Sequence, residues 1–510
     1  MNAAPSHGLS IHSPFPERIP IRYYATQDLF HWIARLFSRP TIEDTLDLTA
    51  KASQKPYDPS HVADIQESRV WKEFIGPNGK QFTSQSSNLV FGMFTDGINP
   101  YGNRQSGKHV SVTFIILVCL SLPVELRRLP ENVFLVGIAP GPKEPTVELF
   151  NWILIPIVEQ LRTLWRTGLH LSQTYRHPHG RLIFAALLPF FADLPALRRA
   201  LGFASANANR MCSYCSLPRH DISNLDPTTW PKRTLDDHKL AANKYHYAKT
   251  GKAREKLLSA DGARYSALLK LEYWNIIEYH VVDSMHNLLL GLLQWHCRKF
   301  WCMSDKHVSQ NTQDSHADDL PFTSETDPND LPFDPTAADD GWDGHWTASS
   351  EVILDLHALS FINKMLPRVR IPTWIKRAVP VLGKASFGRL KADEWRNLFT
   401  VQLPLILPLY WSNSLPITRS LLHNFSHLVS LVNIALKRST STKQIHRYRH
   451  HIKSYLTSCL VIFEDVQLAP NHHMAMHLAD CMERFGPTRS YWSFHMERAM
   501  GQILKACDNN

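Results

Sequence analysis

The period at which apolar residues recur changes several times along the chain. Near the start, TQDLFHWIARLFS has helical spacing and predicts one amphipathic helix, followed by a polar stretch punctuated by Ser, Gln and Pro that ends at QFTSQSSN. Residues 1–85 therefore read as an arm leading into the first compact unit. From Asn88 the pattern becomes that of strands: NLVFGMFTDGI, HVSVTFIILVCLSL and NVFLVGIAPG are rich in Val, Ile, Leu and Phe and are separated by Gly, Pro and Asn. Their short connections predict an antiparallel meander.

A helix is predicted from Thr146 to about Thr167, with Leu149, Trp152, Ile153, Ile157, Leu161, Leu164 and Trp165 at helical spacing. RLIFAALLPFFA then predicts a fourth strand and LPALRRALGFA a further helix. The order β-β-β-α-β-α is that of an RNase H-like core, so the expected class is α/β with residues 86–203 as the first part of that core. Residues 204–470 read as a long, mainly helical insertion. Within it, residues 304–350 are rich in Asp, Ser, Thr and Pro, poor in hydrophobics, and expected to be disordered. Helical patterning resumes at SEVILDLHALSFINKML, and residues 471–510 carry a histidine group and a final helix. An end at Asn510, just after a helix, raises the expectation that a C-terminal part is missing.

Composition narrows the partners. The 510 residues include 55 Lys and Arg against 46 Asp and Glu, a formal charge of +9, which favours a polyanionic partner. Eight cysteines in so long a chain do not make a disulfide framework and point to a reducing compartment. The N-terminus lacks a signal-peptide pattern, and no run of about 18 apolar residues predicts a membrane span. The sequence reads as a soluble intracellular protein with no membrane partner.

An RNase H-like nuclease needs carboxylates on its first strand, at the end of its fourth strand and on a later helix, converging on two divalent metals. Asp96 ends the first predicted strand and Asp193 ends the fourth, although a turn aspartate before Gly97 and an ordinary helix N-cap are the plainer readings. Glu497 lies on the final helix; beside Arg498 it would ordinarily face solvent. Cys212 and Cys215, two residues apart within MCSYC, can share one zinc. Downstream, APNHHMAMHLADCMERFGP holds His472, His473 and His477. His473 and His477 would share a helix face, whereas His472 and His477 converge only if His472 precedes the first turn.

The motifs DGINPYG, LPENVFLVGIAPGPKEPTVELFNWILIPIVEQLRTLW, FFADLPALRRALGF, CSYC, EYHVVDSMHNLLLG and YWSFHMERAMGQILK occur in this order. From about residue 85 onward the chain thereby resembles CACTA (En/Spm) DNA transposases, particularly those of mushroom-forming fungi. The resemblance implies an RNase H-like fold with an Asp-Asp-Glu triad split by a helical insertion. A similar plan, with a zinc held by a Cys pair and a His pair, occurs in the catalytic core of the V(D)J recombinase. It implies Asp96, Asp193 and Glu497 as catalytic ligands of Mg²⁺ or Mn²⁺, with Glu483 as competitor for the third place. It also implies a structural Zn²⁺ on Cys212, Cys215, His472 and His477, with His473 open as the alternative to His472.

Asp283 and His286 match another hallmark of the family. Their spacing fits one helix face, with support of the insertion by hydrogen bonds the favoured role and approach to the active site the other. The expected activity is metal-dependent phosphodiester hydrolysis and strand transfer at transposon ends. Its expected setting is double-stranded DNA in the nucleus, with a homodimer on two ends. A transposon-derived DNA-binding or scaffold protein without catalysis is the alternative. A zinc hydrolase is disfavoured because four protein ligands close the zinc shell.

Overall fold

A computed structural model of the chain describes residues 24–99, 111–301, 356–378, 382, 390–411 and 415–507. The stretch 304–350, expected to be disordered, lies outside the described residues. The protein is mixed α/β, with a six-stranded sheet and many helices. The strands are β1 (Ala25–Thr26), β2 (Asn88–Ile98), β3 (Val112–Cys119), β4 (Val133–Ala139), β5 (Leu169–Leu171) and β6 (Arg181–Phe191), in the order β1-β4-β3-β2-β6-β5.

The β2-β3-β4 meander is antiparallel, as its short connections require, while β6 lies parallel to β2 on the other side. A parallel neighbour needs a crossover. The helix at Val147–Arg166, capped by Thr146, lies within that connection. Near-continuous apolar runs suit strands covered on both faces. Leu89, Phe91 and Met93 of β2 face one core, and Val90 and Phe94 face another that is shared with the helices after residue 204.

Residues 24–85 pack onto this sheet. They contain α1 (Leu29–Phe37), α2 (Ile42–Ser53) and α3 (Arg69–Glu73), and β1 pairs with β4. The polar stretch that reads as an arm is held by tertiary bonds. Buried Glu43 accepts from Thr174 Oγ1 at 3.0 Å, the Arg176 amide at 2.8 Å and Arg181 at 3.0 Å. Asp64 forms a two-point pair with fully buried Arg127, at 2.9 and 2.5 Å.

With Val147–Arg166 as α4, the remaining helices are α5 (Leu194–Leu201), α6 (Leu235–Tyr247), α7 (Gly251–Asp261), α8 (Leu356–Met365), α9 (Ala392–Asn397), α10 (Leu403–Tyr410), α11 (Pro416–Ala435), α12 (Thr442–Ile462), α13 (Pro470–Phe485) and α14 (Phe494–Cys507). A π-helix, Met285–Leu293, precedes α8. It presses closely on the start of α13: a Cβ on Gly291 would lie 2.7 Å from Asn471 Nδ2, and Asn287 Nδ2 donates to Asn471 O at 3.0 Å. Thirteen of the sixteen residues of α13 are buried, so this helix is a central strut of the insertion.

The lead into α14 is pinned from several directions. Thr488 Oγ1 donates to Ala435 O at 2.7 Å, Arg489 Nε to Leu436 O at 2.7 Å, and Ser490 Oγ to Asp64 Oδ1 at 3.0 Å. Among the described residues, no helix is long and apolar enough to cross a membrane.

Candidate functional site

The parallel pairing of β2 with β6 brings their C-terminal ends side by side, with Phe94 opposite Phe191. Asp96 and Asp193 each lie two residues beyond that pair. Asp96 Oδ1 accepts the Gly97 amide at 2.7 Å. Asp193 is the N-cap of α5, with Oδ1 accepting the Ala196 amide at 2.7 Å. Capping occupies one carboxylate oxygen and fixes the rotamer, which suits a preorganised ligand.

Glu497 reaches the same neighbourhood from the first turn of α14, 38% exposed, and His286 Nε2 stands 3.2 Å from its Oε1. Asp283 determines where His286 points. Its Oδ2 accepts the His286 amide at 3.1 Å and pairs with ring Nδ1 at 2.7 Å, while its Oδ1 accepts the Ser493 amide at 2.9 Å. One buried carboxylate thus orients the imidazole and anchors the residue that begins the Glu497 helix. The DSMH spacing showed that Asp283 and His286 share a face; only the tertiary structure shows which face and what it meets.

The electrostatics tie these groups together. Burial and then the neighbouring Asp193 push Asp96 well above the usual carboxylate range; Glu497 adds to the rise, and the His286 charge opposes it. Burial raises Asp193 too, again opposed by His286. Burial disfavours the His286 cation, but hydrogen bonds and charges from Asp283 and Glu497 outweigh it and raise the imidazole well above its ordinary range. The His286 charge thus sits between Asp283 and Glu497 and offsets part of the rise at Asp96 and Asp193. Among the described residues, the donor groups lying within 4.8 Å of one another are Cys212, Cys215, His473 and His477, and His427, His450 and His451; the three carboxylates are spaced more widely. A partly buried set of carboxylate oxygens with too little compensating charge has the chemistry of a hard divalent-cation site.

At the second candidate centre, Cys215 Sγ is 3.3 Å from His473 Nε2, which is 3.2 Å from His477 Nε2. For zinc bonds of about 2.0–2.1 Å to nitrogen and about 2.3 Å to sulfur, tetrahedral edges are about 3.3–3.8 Å. The donor set therefore fits zinc in type and spacing. Amides of Tyr214 and Cys215 donate to Cys212 Sγ at 3.3 and 3.4 Å, and His477 Nδ1 pairs with Asp480 at 3.2 Å, the kind of outer contact that orients a ligating imidazole. Trp230 packs on both histidine rings.

The charges favour one thiolate on Cys212, whose hydrogen bond, together with burial, holds the Cys215 thiol above the ordinary range. Burial raises the Cys212 thiol, but Cys215 and the charges of His477 and His473 hold it well below the ordinary thiol range. Burial lowers His477, yet the Cys212 charge and Asp480 bring it to about 9.

His472, the ligand expected from the sequence, is not in this group, and His473 takes its place. The helix begins at Pro470, so His472 is already inside the first turn, where its Nδ1 accepts the Ala469 amide at 2.9 Å. His473 and His477 then share a face by simple helical geometry. Glu483, the competitor of Glu497, is exposed and paired with Arg449 at 2.6 Å. Sequence reading also missed the group on α11 and α12, where His427 Nδ1 lies 2.8 Å from His451 Nδ1.

Residues 60–226 match a family model described as Transposase family tnp2. This segment, about a third of the chain, contains Asp96, Asp193, Cys212 and Cys215 and supports a transposase family for the protein. No curated protein sequence matches the chain.

Proposed function

We propose that the chain is the catalytic region of a cut-and-paste DNA transposase of the CACTA type, in its fungal branch, built on an RNase H-like core. The observation that carries this reading is the placement of Asp96 and Asp193 side by side at the ends of β2 and β6, within a segment similar to tnp2 transposases, with Glu497, far beyond that segment in sequence, brought to His286 beside them. Asp96, Asp193 and Glu497 are the proposed ligands of Mg²⁺ or Mn²⁺. Such ions, when bound, activate the attacking oxygen and stabilise the leaving one in phosphodiester displacement.

The protein's own part is to hold the oxygens in place. The Gly97 amide fixes the Asp96 carboxylate, the α5 N-terminus fixes Asp193, and Asp283 holds the start of α14 through Ser493. Water attacks a phosphodiester at the element end, and the freed 3′-hydroxyl then attacks target DNA. Cys212, Cys215, His473 and His477 are the proposed ligands of a structural Zn²⁺. With four protein donors the shell is closed, so its role is to tie the beginning of the insertion to α13, and through α13 to Glu497.

The proposed partner is double-stranded DNA, at transposon ends and target, favoured by the charge of +9. A homodimer on two ends and a nuclear location complete the reading. The test is cleavage and strand transfer on a substrate carrying the element's own terminal sequence, with Mg²⁺ or Mn²⁺. Asp96→Asn, Asp193→Asn and Glu497→Gln are each expected to lower product about 10²–10³-fold, the size of effect when a preorganised electrostatic group is lost. Specific DNA binding without cleavage by the unaltered chain would instead establish a transposon-derived binding protein.

A further inference from the structure

Three imidazoles on α11 and α12, His427, His450 and His451, each offer a donor nitrogen, and these nitrogens all lie within 4.8 Å of one another. The connection between the two helices, residues 436–441, is short, so they pack as antiparallel neighbours. His427 sits midway along α11. His450 and His451 sit midway along α12, on adjacent positions that flank the line facing α11.

The rings form a near-equilateral triangle. Their centroids are 5.8 Å apart for His427 and His450, 5.1 Å for His427 and His451, and 5.4 Å for His450 and His451. An ion bonded to a ring nitrogen at about 2.0–2.1 Å lies about 3.2 Å from the ring centre, so three rings around a tetrahedral ion stand about 5.2 Å apart. The observed triangle is close to that size. His427 Nδ1 and His451 Nδ1 are 2.8 Å apart, a separation at which one nitrogen carries a proton for the other. An ion entering the triangle takes the place of that proton, and the pair opens by about half an ångström to the tetrahedral edge. A hydrogen-bonded pair accounts for two of the rings. It does not account for the third: His450 is exposed, with solvent open to it, yet one of its nitrogens lies beside the other two.

We propose that His427, His450 and His451 form an open three-histidine site for a divalent transition ion, with Zn²⁺ the ion that this donor set and triangle suit. Neutral imidazole is the ligating form, and burial favours it at His427, which is 8% exposed. Imidazole nitrogens suit Zn²⁺ and its transition-metal neighbours, whereas Mg²⁺ prefers oxygen. With His450 on the solvent side, the fourth position is left to water, unlike the closed shell of Cys212, Cys215, His473 and His477. The ion clamps α11 to α12. In turn α12 is held to α13 by Tyr448, whose hydroxyl donates to Ala475 O at 2.8 Å, and by Arg449, paired with Asp480 at 2.9 Å. Three nitrogens and a water hold an ion less tightly than two thiolates and two imidazoles. The purified chain is therefore expected to keep the zinc of the closed shell and to take this further ion on titration.

The experiment titrates Co²⁺ and then Zn²⁺ into the tag-free full chain, in excess Mg²⁺ to fill the carboxylate site. Co²⁺ should give the intense visible bands of a low-coordinate ion without the near-ultraviolet band of a thiolate ligand, and Zn²⁺ should erase them. His427→Ala, His450→Ala and His451→Ala should each remove the bands and weaken Zn²⁺ binding about 100-fold or more, beyond the roughly 10–100-fold that loss of an outer contact costs. The bands should persist in Asp96→Asn, and in His446→Ala, an exposed histidine of α12 outside the group.

Absence of the bands overturns the proposal, and so does their loss in Asp96→Asn, which would assign them to the carboxylates. A thiolate band in place of them would show exchange at the closed shell and overturns it equally. Binding that survives in His450→Ala reduces the group to a hydrogen-bonded pair, and equal loss in His446→Ala reduces it to unspecific surface binding. Should His427→Ala lose its circular dichroism, His450→Ala, at an exposed position, decides.

Discussion

At the residue scale, adjacent histidines have opposite assignments. His472 and His473 are chemically identical, yet one folds back on the Ala469 amide and the other faces Cys215. His473→Ala is therefore expected to lose the zinc measured by atomic absorption. His472→Ala should keep one zinc per chain while losing about 2–4 kcal/mol of stability from the buried cavity and the lost acceptor. Loss of zinc from the His472 variant alone would reverse the assignment. Asp96 offers a second test. Its burial beside Asp193 makes its charge costly, so in chelator at neutral pH Asp96→Asn should unfold at a higher temperature than the unaltered protein. Added Mn²⁺ should then raise the melting temperature of the unaltered protein more than that of the variant.

At the scale of elements, α13 links the two centres. It carries His473 and His477, packs beside the π-helix that contains His286, and leads through residues 486–493 into α14. The proposed zinc would close a loop between residues 212–215 and 473–477 that local structure alone would leave open. Chelation under reducing conditions should accelerate amide exchange in residues 205–233 and 470–507. Exchange in β2, β3 and β4 should stay slow, because those strands are held by ladder bonds and two apolar faces. Uniform acceleration across all these segments would show instead that zinc holds the whole molecule.

At the scale of the whole molecule, buried neutral histidines make stability depend on pH. Burial lowers His238 and His280 to about 3 each. An unfolded histidine titrates at about 6.5, so below that value the unfolded chain binds protons the folded chain refuses. The stabilisation is complete above about pH 6.5 and falls as pH drops toward 3, each group contributing a slope of about 1.4 kcal/mol per pH unit. Urea unfolding at pH 7, 6 and 5 measures it, and His238→Leu should flatten the slope by one such increment. An unchanged slope would mean that His238 is protonated in the folded protein.

The sequence by itself determined the strands and the cores they feed. Runs such as NLVFGMF and RLIFAALLPFF are apolar on both faces, and burial on both sides is their available solution in water. It also placed Asp96 and Asp193, since each comes just after such an apolar run, and the Cys212 and Cys215 pair, since its spacing is local. Tertiary structure alone decided the packing of residues 24–85, where polar side chains find partners more than a hundred residues away. It set His473 and not His472 beside Cys215 through the start of α13 at Pro470, and Glu497 and not Glu483 beside His286 through the pinned entry to α14. It also turned His286 toward Glu497, because the direction of an imidazole is set by Asp283 and by packing across the insertion, which no local spacing encodes.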